Sequence, residues 1–410
     1  MVNTKRTPRL ERYLDSFEAF KVKQSPTIFV EYRGALDEAA LARAYRLLCE
    51  RHPVLRAQIR SDERGDLLYV ATDRNPSFVA CQGDENTLRS MAFAEDWDPA
   101  RGVAQLIAIR QPGGGFVAIR ETVAIGDGTA KFARWDELWR LYNQVVQGHV
   151  IPPIATGSLP KSTVELLRDR FPLGSVSINN VKSARILNEP AQPLREATDA
   201  ELLDCIKDDI FLSAQETSEL IATARAQKTT IYALVGAIIV TAWQAQNAPG
   251  NQSPTAIATS VDLRNRLSPP VGATEATVMA LQYTVRIPFY DKPNALTIAR
   301  DLRSQLNSAI LGQGFPLVRF ADVAKGVVYI NNMGLKPKVD LPDGICIIET
   351  GVLASHAEKI DRGLLGRHDM FTCDGQFQLH CAYPAEIFSE DGVTRLVGRI
   401  KDLLGDYISR

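Results

Sequence analysis

Cysteine is scarce in this chain, and it is scattered. The six residues at positions 49, 81, 205, 346, 373 and 381 form no Cys-x-x-Cys pair. That excludes a disulfide framework or a zinc site by spacing and leaves them as small core hydrophobes in a reducing compartment. Histidine is as rare: five residues, at 52, 149, 356, 368 and 380, and no two at ligand spacing. Neither a metal nor another cofactor is expected. Net charge is nearly absent, 47 basic residues against 48 acidic ones leaving −1, so no global field favours nucleic acid or an anionic membrane. Long apolar runs are missing too. The longest, Tyr232 to Trp243, is interrupted by Gly236 and falls short of the ~20 residues that span a bilayer. The basic N-terminus is followed by no apolar run, so no secretory signal is expected and the cytoplasm is the expected location. There is no Gly-x-Ser-x-Gly, no P-loop and no strand-GxGxxG-helix pattern.

What is present is the composition of a globular protein, 45% apolar and 23% charged over 410 residues, long enough for two domains of about 200 residues each. Residues 9–20 are amphipathic, Thr27–Tyr32 reads as a strand, and Asp37 caps a helix that stops at Arg51-His52-Pro53. Val54–Arg60 with Asp66–Val70 forms a hairpin. A second hairpin, Val103–Arg110 and Phe116–Val123, turns on Gly113-Gly-Gly115. Asp127-Gly128 then leads into a helix over 130–147, and the Pro- and Gly-rich stretch 148–162 ends the unit. Residues 1–172 read as one half, 173–200 as a crossover linker and 201–410 as a second half. The latter opens with a strand, Ile206–Leu212, a capping box at Ser213-Ala-Gln-Glu216 and an apolar helix over 229–246. Strands follow at 256–262, 280–288, 327–331, 344–349 and 377–383, with helices at 295–311 and from Ser389 to about 404. Gly366-Arg-His-Asp-Met370 stays in an unassigned loop. Strands alternating with helices make each half an α/β layered sandwich.

Several stretches, in order, resemble one family. They are Arg51-His-Pro-Val-Leu-Arg56, Asp127-Gly128 after a hairpin strand, Val261-Asp-Leu-Arg264 with Ser268-Pro-Pro-Val271, Asn331-Asn-Met-Gly334, and Tyr383-Pro-Ala-Glu-Ile-Phe-Ser389. Together they are similar to the condensation-domain and chloramphenicol-acetyltransferase-like superfamily. Within it the likeness is greatest to polyketide-associated acyltransferases of the phthiocerol/phthiodiolone dimycocerosyl transferase type. The resemblance implies two acetyltransferase-like α/β halves in a V around a central tunnel. It also implies an acyl carrier protein or CoA thioester as donor and a small-molecule hydroxyl or amine as acceptor. The family's His-His-x-x-x-Asp-Gly signature supplies a general base from its second histidine, whose neutral imidazole suits the task near neutral pH. Its Asp is structural and pairs with an Arg from the second half.

Laid on this chain, the signature Asp is Asp127, the Gly is Gly128 and the partner Arg is Arg264. The two histidines fall on Thr122 and Val123. Valine accepts no proton, so the scaffold of the motif is kept and its base is lost. Three residues are candidates for chemistry at the site, two of them as the base. Strand alternation puts Glu121 on the face of residue 123, as a displaced base. Thr122 offers a hydroxyl to a bound carbonyl, and His368 is a substitute imidazole. Glu121 also has a structural reading, as an exposed or ion-paired carboxylate at a strand end. Gly128 reads as a helix start where only glycine fits. The function implied is acyl transfer from a thioester in natural-product or lipid biosynthesis. The alternatives are a repurposed tunnel enzyme (cyclisation, rearrangement or dehydration of a pathway intermediate) and a non-catalytic docking module.

Overall fold

The structure, a computed structural model, describes residues 10–19, 21–70, 76–94, 97–152, 157–170, 202–246, 256–287, 294–312, 326–336, 341–342, 344–353, 359–361 and 364–408. The crossover segment 173–200 lies outside the described residues. The first strands are β1 (Glu11–Tyr13), β2 (Thr27–Arg33), β3 (Ala57–Asp62), β4 (Gly65–Val70), β5 (Phe78–Gln82), β6 (Ala104–Gln111) and β7 (Gly114–Glu121). With them come the helices α1 (Ser16–Ala19), α2 (Glu38–Arg51), α3 (Glu85–Ala92), α4 (Gly128–Val146) and α5 (Thr163–Arg170). The later strands are β8 (Leu202–Phe211), β9 (Ala256–Asp262), β10 (Ala280–Arg286), β11 (Val327–Lys336), β12 (Cys346–Leu353), β13 (Lys359–Asp361), β14 (Leu364–Cys373) and β15 (Gln376–Pro384). The later helices are α6 (Ala214–Ala226), α7 (Ile231–Gln246), α8 (Ala295–Gly312) and α9 (Glu390–Ile408).

A five-stranded sheet in the order β12-β2-β7-β6-β5 carries the first part of the chain. Its β6–β7 hairpin turns through Gly113 at φ +81°, a left-handed conformation that side chains resist. The even residues of β2, Ile28, Val30 and Tyr32, join Leu41, Tyr45 and Leu48 of α2 and Trp135, Leu138 and Trp139 of α4 in one core. Phe29 faces the other way, onto Leu88 of α3 and Phe116. Strand β12 comes from the second part of the chain and pairs antiparallel with β2, so backbone hydrogen bonds join the two parts of the chain within one sheet. A third, small sheet, β1-β4-β3, packs Ala57, Ile59, Leu68 and Val70 into the same core as α2 and α4.

The second sheet runs β10-β9-β11-β14-β15-β8-β13, with β11 parallel to β9 and β14 and the other pairs antiparallel. One face is covered by α7, α8 and α9. Helix α7 is apolar on nearly all sides, and residues 233–240 other than Gly236 are fully buried within it, as expected of a helix enclosed by a core. The box ahead of α6 is complete: Ser213 Oγ accepts from the Glu216 amide while Glu216 accepts from the Ser213 amide. Ser213→Ala is expected to cost about 1 kcal/mol, read as a lower urea midpoint at unchanged slope.

Strand β14 corrects the sequence reading. Gly366–Met370 is no loop but the middle of the seven-stranded sheet, between β11 and β15. Alternation fails to mark it because polar residues occupy both faces. Arg367 and Asp369 pair with each other on one side at 2.7 Å, while His368 is buried on the other.

Candidate active site

Strand β7 ends at Glu121, and the chain passes through a single 3₁₀ turn, Val123–Ile125, before α4. The Thr122 amide donates to the Val103 carbonyl at 2.9 Å and the Val123 amide to Gln24 at 2.6 Å. The Thr122 hydroxyl donates toward the carbonyls of Val22 and Lys21 and accepts from the Ala124 amide. The loop is therefore pinned to the segment before β2. Thr122 is fully buried and its hydroxyl is engaged, while Val123 is half-buried.

Asp127 ties this loop to the second sheet. Its Oδ1 accepts from the Ala130 amide at 3.2 Å and caps α4. Its Oδ2 accepts from Arg264 Nη1 at 2.8 Å and from the amides of Met279 and Ala280 at 2.7 and 2.9 Å. Its own amide donates to the Thr277 carbonyl at 2.9 Å. Burial pushes the Asp127 carboxyl up, but Arg264 and the amides overcome this and hold it below the usual carboxylate range. The same seam takes Thr277 Oγ1 to buried Glu18, itself forked by Arg12.

Glu121 lies elsewhere than simple alternation suggests. The strand ends there, so the face shared with residue 123 is lost in the turn. Its carboxylate is buried against the equally buried Arg134 guanidinium of α4, close enough to Tyr45 and Cys49 to act on both electrostatically. The glycine that this packing requires is Gly126, not Gly128. A Cβ at 126 would stand 2.2 Å from Arg134 Nη2, whereas one at the exposed Gly128 would meet nothing within 4 Å.

His368 sits on β14, fully buried on the face covered by α7–α9, with Nε2 2.9 Å from the Tyr383 hydroxyl. Burial lowers its pKa to about 4. The structure thus joins Thr122, Val123, Asp127 and Arg264 at one loop and leaves His368 buried within the second sheet, against Tyr383.

Three features went unseen in the sequence. The Lys131 amine, in the first turn of α4, donates to the Glu121 carbonyl, and burial lowers its pKa to about 7. Lys21, beside Asp127, is lowered by burial to about 8. A basic residue in a helix's first turn opposes the macrodipole, and that was the available signal for Lys131. Lys336 of β11 is 6% exposed, with its amine 3.2 Å from the Phe132 ring centroid, and burial drives its pKa well below the ordinary lysine value. Beyond these three lysines lies a row across the second sheet, Asn331–Asp369–His380–Asp209, set by strand registers. It joins positions far apart in sequence.

Residues 207–372 match the family model described as phthiocerol/phthiodiolone dimycocerosyl transferase C-terminus. The chain is 28% identical over 327 residues, 74% of each protein, to a phthiocerol/phthiodiolone dimycocerosyl transferase of Mycobacterium tuberculosis. Among solved structures it is similar to polyketide synthase associated protein 5 from Mycobacterium tuberculosis, with a TM-score of 0.73 and 22% identity over 97% of this chain and 98% of that one. The first condensation domain of the CDA synthetase superposes with a TM-score of 0.67 at 13% identity, over 98% and 96%. The chain has the α/β fold of condensation domains and their acyltransferase-like relatives. Among the described residues no helix is long and apolar enough to cross a membrane.

Proposed function

We propose that this chain is a condensation-domain-like acyltransferase of natural-product or lipid biosynthesis. It moves an acyl group from a carrier-protein or CoA thioester to a hydroxyl or amine, and the proton leaves through a group outside the motif. Residues 1–172 and 201–410 form the two halves, 173–200 joins them, and β12 is lent by the second half to the first. The observation that carries the reading is Asp127. Its carboxylate is fully engaged in holding the motif loop to Arg264, Met279 and Ala280, so the scaffold of the reaction is maintained although Val123 accepts no proton. A thioester is activated, and holding it beside its acceptor supplies much of the rate without the histidine.

Native protein is expected to release thiol from an acyl-pantetheine thioester in an acceptor-dependent way. Val123→His, at a half-buried position, is expected to leave kcat nearly unchanged, because a general base is already supplied from outside the motif. Absence of acceptor-dependent thiol release from native protein would overturn the reading. A second reading draws on the burial of Glu121, Thr122 and His368, each already bonded. It is a step needing no base at the motif, such as cyclisation, rearrangement or dehydration, or docking without catalysis. Its mark is binding of a pathway intermediate by a protein silent in thiol release.

A further inference from the structure

We infer that His380, held by Asp209 on the face of the seven-stranded sheet away from α7–α9, is the proton acceptor that replaces the motif histidine. This rests on the acyltransferase reading. Residues Phe377, Leu379, Cys381 and Tyr383 of β15 belong to the core under the helices, so strand alternation turns His380 to the opposite face. There its Nδ1 lies 2.9 Å from Asp209 Oδ2, with the His380 side chain 35% exposed. A carboxylate on Nδ1 fixes the hydrogen there and leaves the Nε2 lone pair free to take a proton, the division of labour in a His–Asp dyad. The ring is stacked on Phe371 at 5.4 Å and met edge-on by Phe211 at 5.9 Å, which fixes its plane.

The other described imidazoles lack this geometry, His149 being exposed in the loop after α4. His52 Nε2 is engaged by Glu137 at 2.7 Å, and His368 is enclosed against Tyr383. The charged groups around His380 are Asp209 on β8, Asp369 with its partner Arg367 on β14, and Glu349 on β12. Lys336 lies beyond Phe371, 5.1 Å from that ring. Burial lowers the His380 pKa, but the three carboxylates outweigh it and the net shift is upward. Phe371 also borders a cavity of about 360 Å³ where β11 and β14 end, but half of its lining, Ile221, Ala224, Arg225, Thr229, Thr230 and Ile231, comes from α6 and the entry to α7, so that cavity lies against the helices and not against the dyad. The dyad is three strands from β9, about 14 Å at 4.8 Å per strand, so this chemistry is displaced from Val123 along the sheet.

In the step, Nε2 takes the proton of the acceptor O–H or N–H as that atom bonds to the thioester carbonyl carbon. The C–S bond then breaks, the proton passes from Nε2 to the departing sulfur, and an ester or amide and a free thiol result. Nothing is oxidised or reduced.

The test is acceptor-dependent thiol release from an acyl-pantetheine thioester by the full chain between pH 5.5 and 9. In native protein log kcat/KM is expected to climb with pH and level off above the His380 pKa. His380→Gln is expected to lower kcat/KM by roughly 10²–10⁴-fold with KM unchanged, and to remove that limb. Asp209→Asn keeps the imidazole and is expected to shift the limb to lower pH, an effect that a purely structural role would not produce. His380→Gln with the native rate and limb overturns the assignment alone. A native protein with no thiol release overturns both the assignment and the acyltransferase reading. Circular dichroism melts of the variants separate lost chemistry from lost fold.

Discussion

Asp127→Ala is expected to cost roughly 3–5 kcal/mol, the penalty for stranding a buried charge. The substitution removes the cap of α4, about 1 kcal/mol by itself. It also withdraws the acceptor of two amides and leaves Arg264, 3% exposed, with Asp262 as its remaining carboxylate at 3.2 Å. Asp262 lies nearer solvent and compensates only in part. Asp127→Asn keeps an oxygen for the cap and is expected to fall between native and alanine. Arg264→Met deletes the stranded charge, so the double variant Asp127→Ala/Arg264→Met is expected to be more stable than the sum of the single losses. The carboxyl is held below its unfolded value, so the stabilisation is complete above the unfolded pKa and fades as pH falls through the folded one. Urea unfolding of native protein and the four variants, Asp127→Ala, Asp127→Asn, Arg264→Met and the double, checks this. Strict additivity, or a loss under 1 kcal/mol for Asp127→Ala, would sink the claim that the pair joins the two sheets.

Patterns that depend on neighbours in sequence were legible, and those that depend on strand pairing were not. Asp37, Ser213 and Ser389 mark helix starts because a short polar side chain satisfies amides a few residues on. The β6–β7 hairpin is legible because its turn demands glycine. The contact between Asp127 and Arg264 was visible only through family likeness, since its two residues lie 137 positions apart. Strand β14 was hidden by charges that cancel each other on its open face. The His380–Asp209 pair was hidden for a related reason: each residue alone reads as a solvated strand position, and only the β8–β15 register brings them together. Glu121 shows the limit of alternation. The rule holds while the strand lasts, and here the strand ends on the residue in question.

The last expected result concerns Lys131 and has its sign set by burial. Lys131 is 3% exposed, and its amine feels the charges of Glu121, Asp127, Arg134 and Lys21. The ammonium is disfavoured by desolvation, so the folded pKa, about 7, lies below the unfolded value of 10.5. Between these values the unfolded chain holds a proton that the folded one lacks, and stability therefore rises with pH, by up to about 1.4 kcal/mol per unit. Below the folded pKa both states are charged and the cost of the buried charge is borne in full. Lys21, lowered to about 8, adds a second proton above that pH. Asp15, raised to about 7 mainly by burial, works in the opposite direction but only below neutrality. The buried thiols of Cys49 and Cys381, raised by burial, oppose the trend only where unfolded thiols ionise. The window in which the amines dominate is thus about pH 7–9. Lys131→Met has no proton to exchange, so its urea stability, plotted against pH beside that of native protein, is expected to lose one proton of slope there. The two curves should diverge by about 2–3 kcal/mol between pH 7 and 9. Parallel curves would mean that Lys131 stays charged in the folded protein, with Glu121 shared between it and Arg134. The motif loop would then rest on a three-membered ion cluster rather than on a neutral amine beside the Glu121–Arg134 pair.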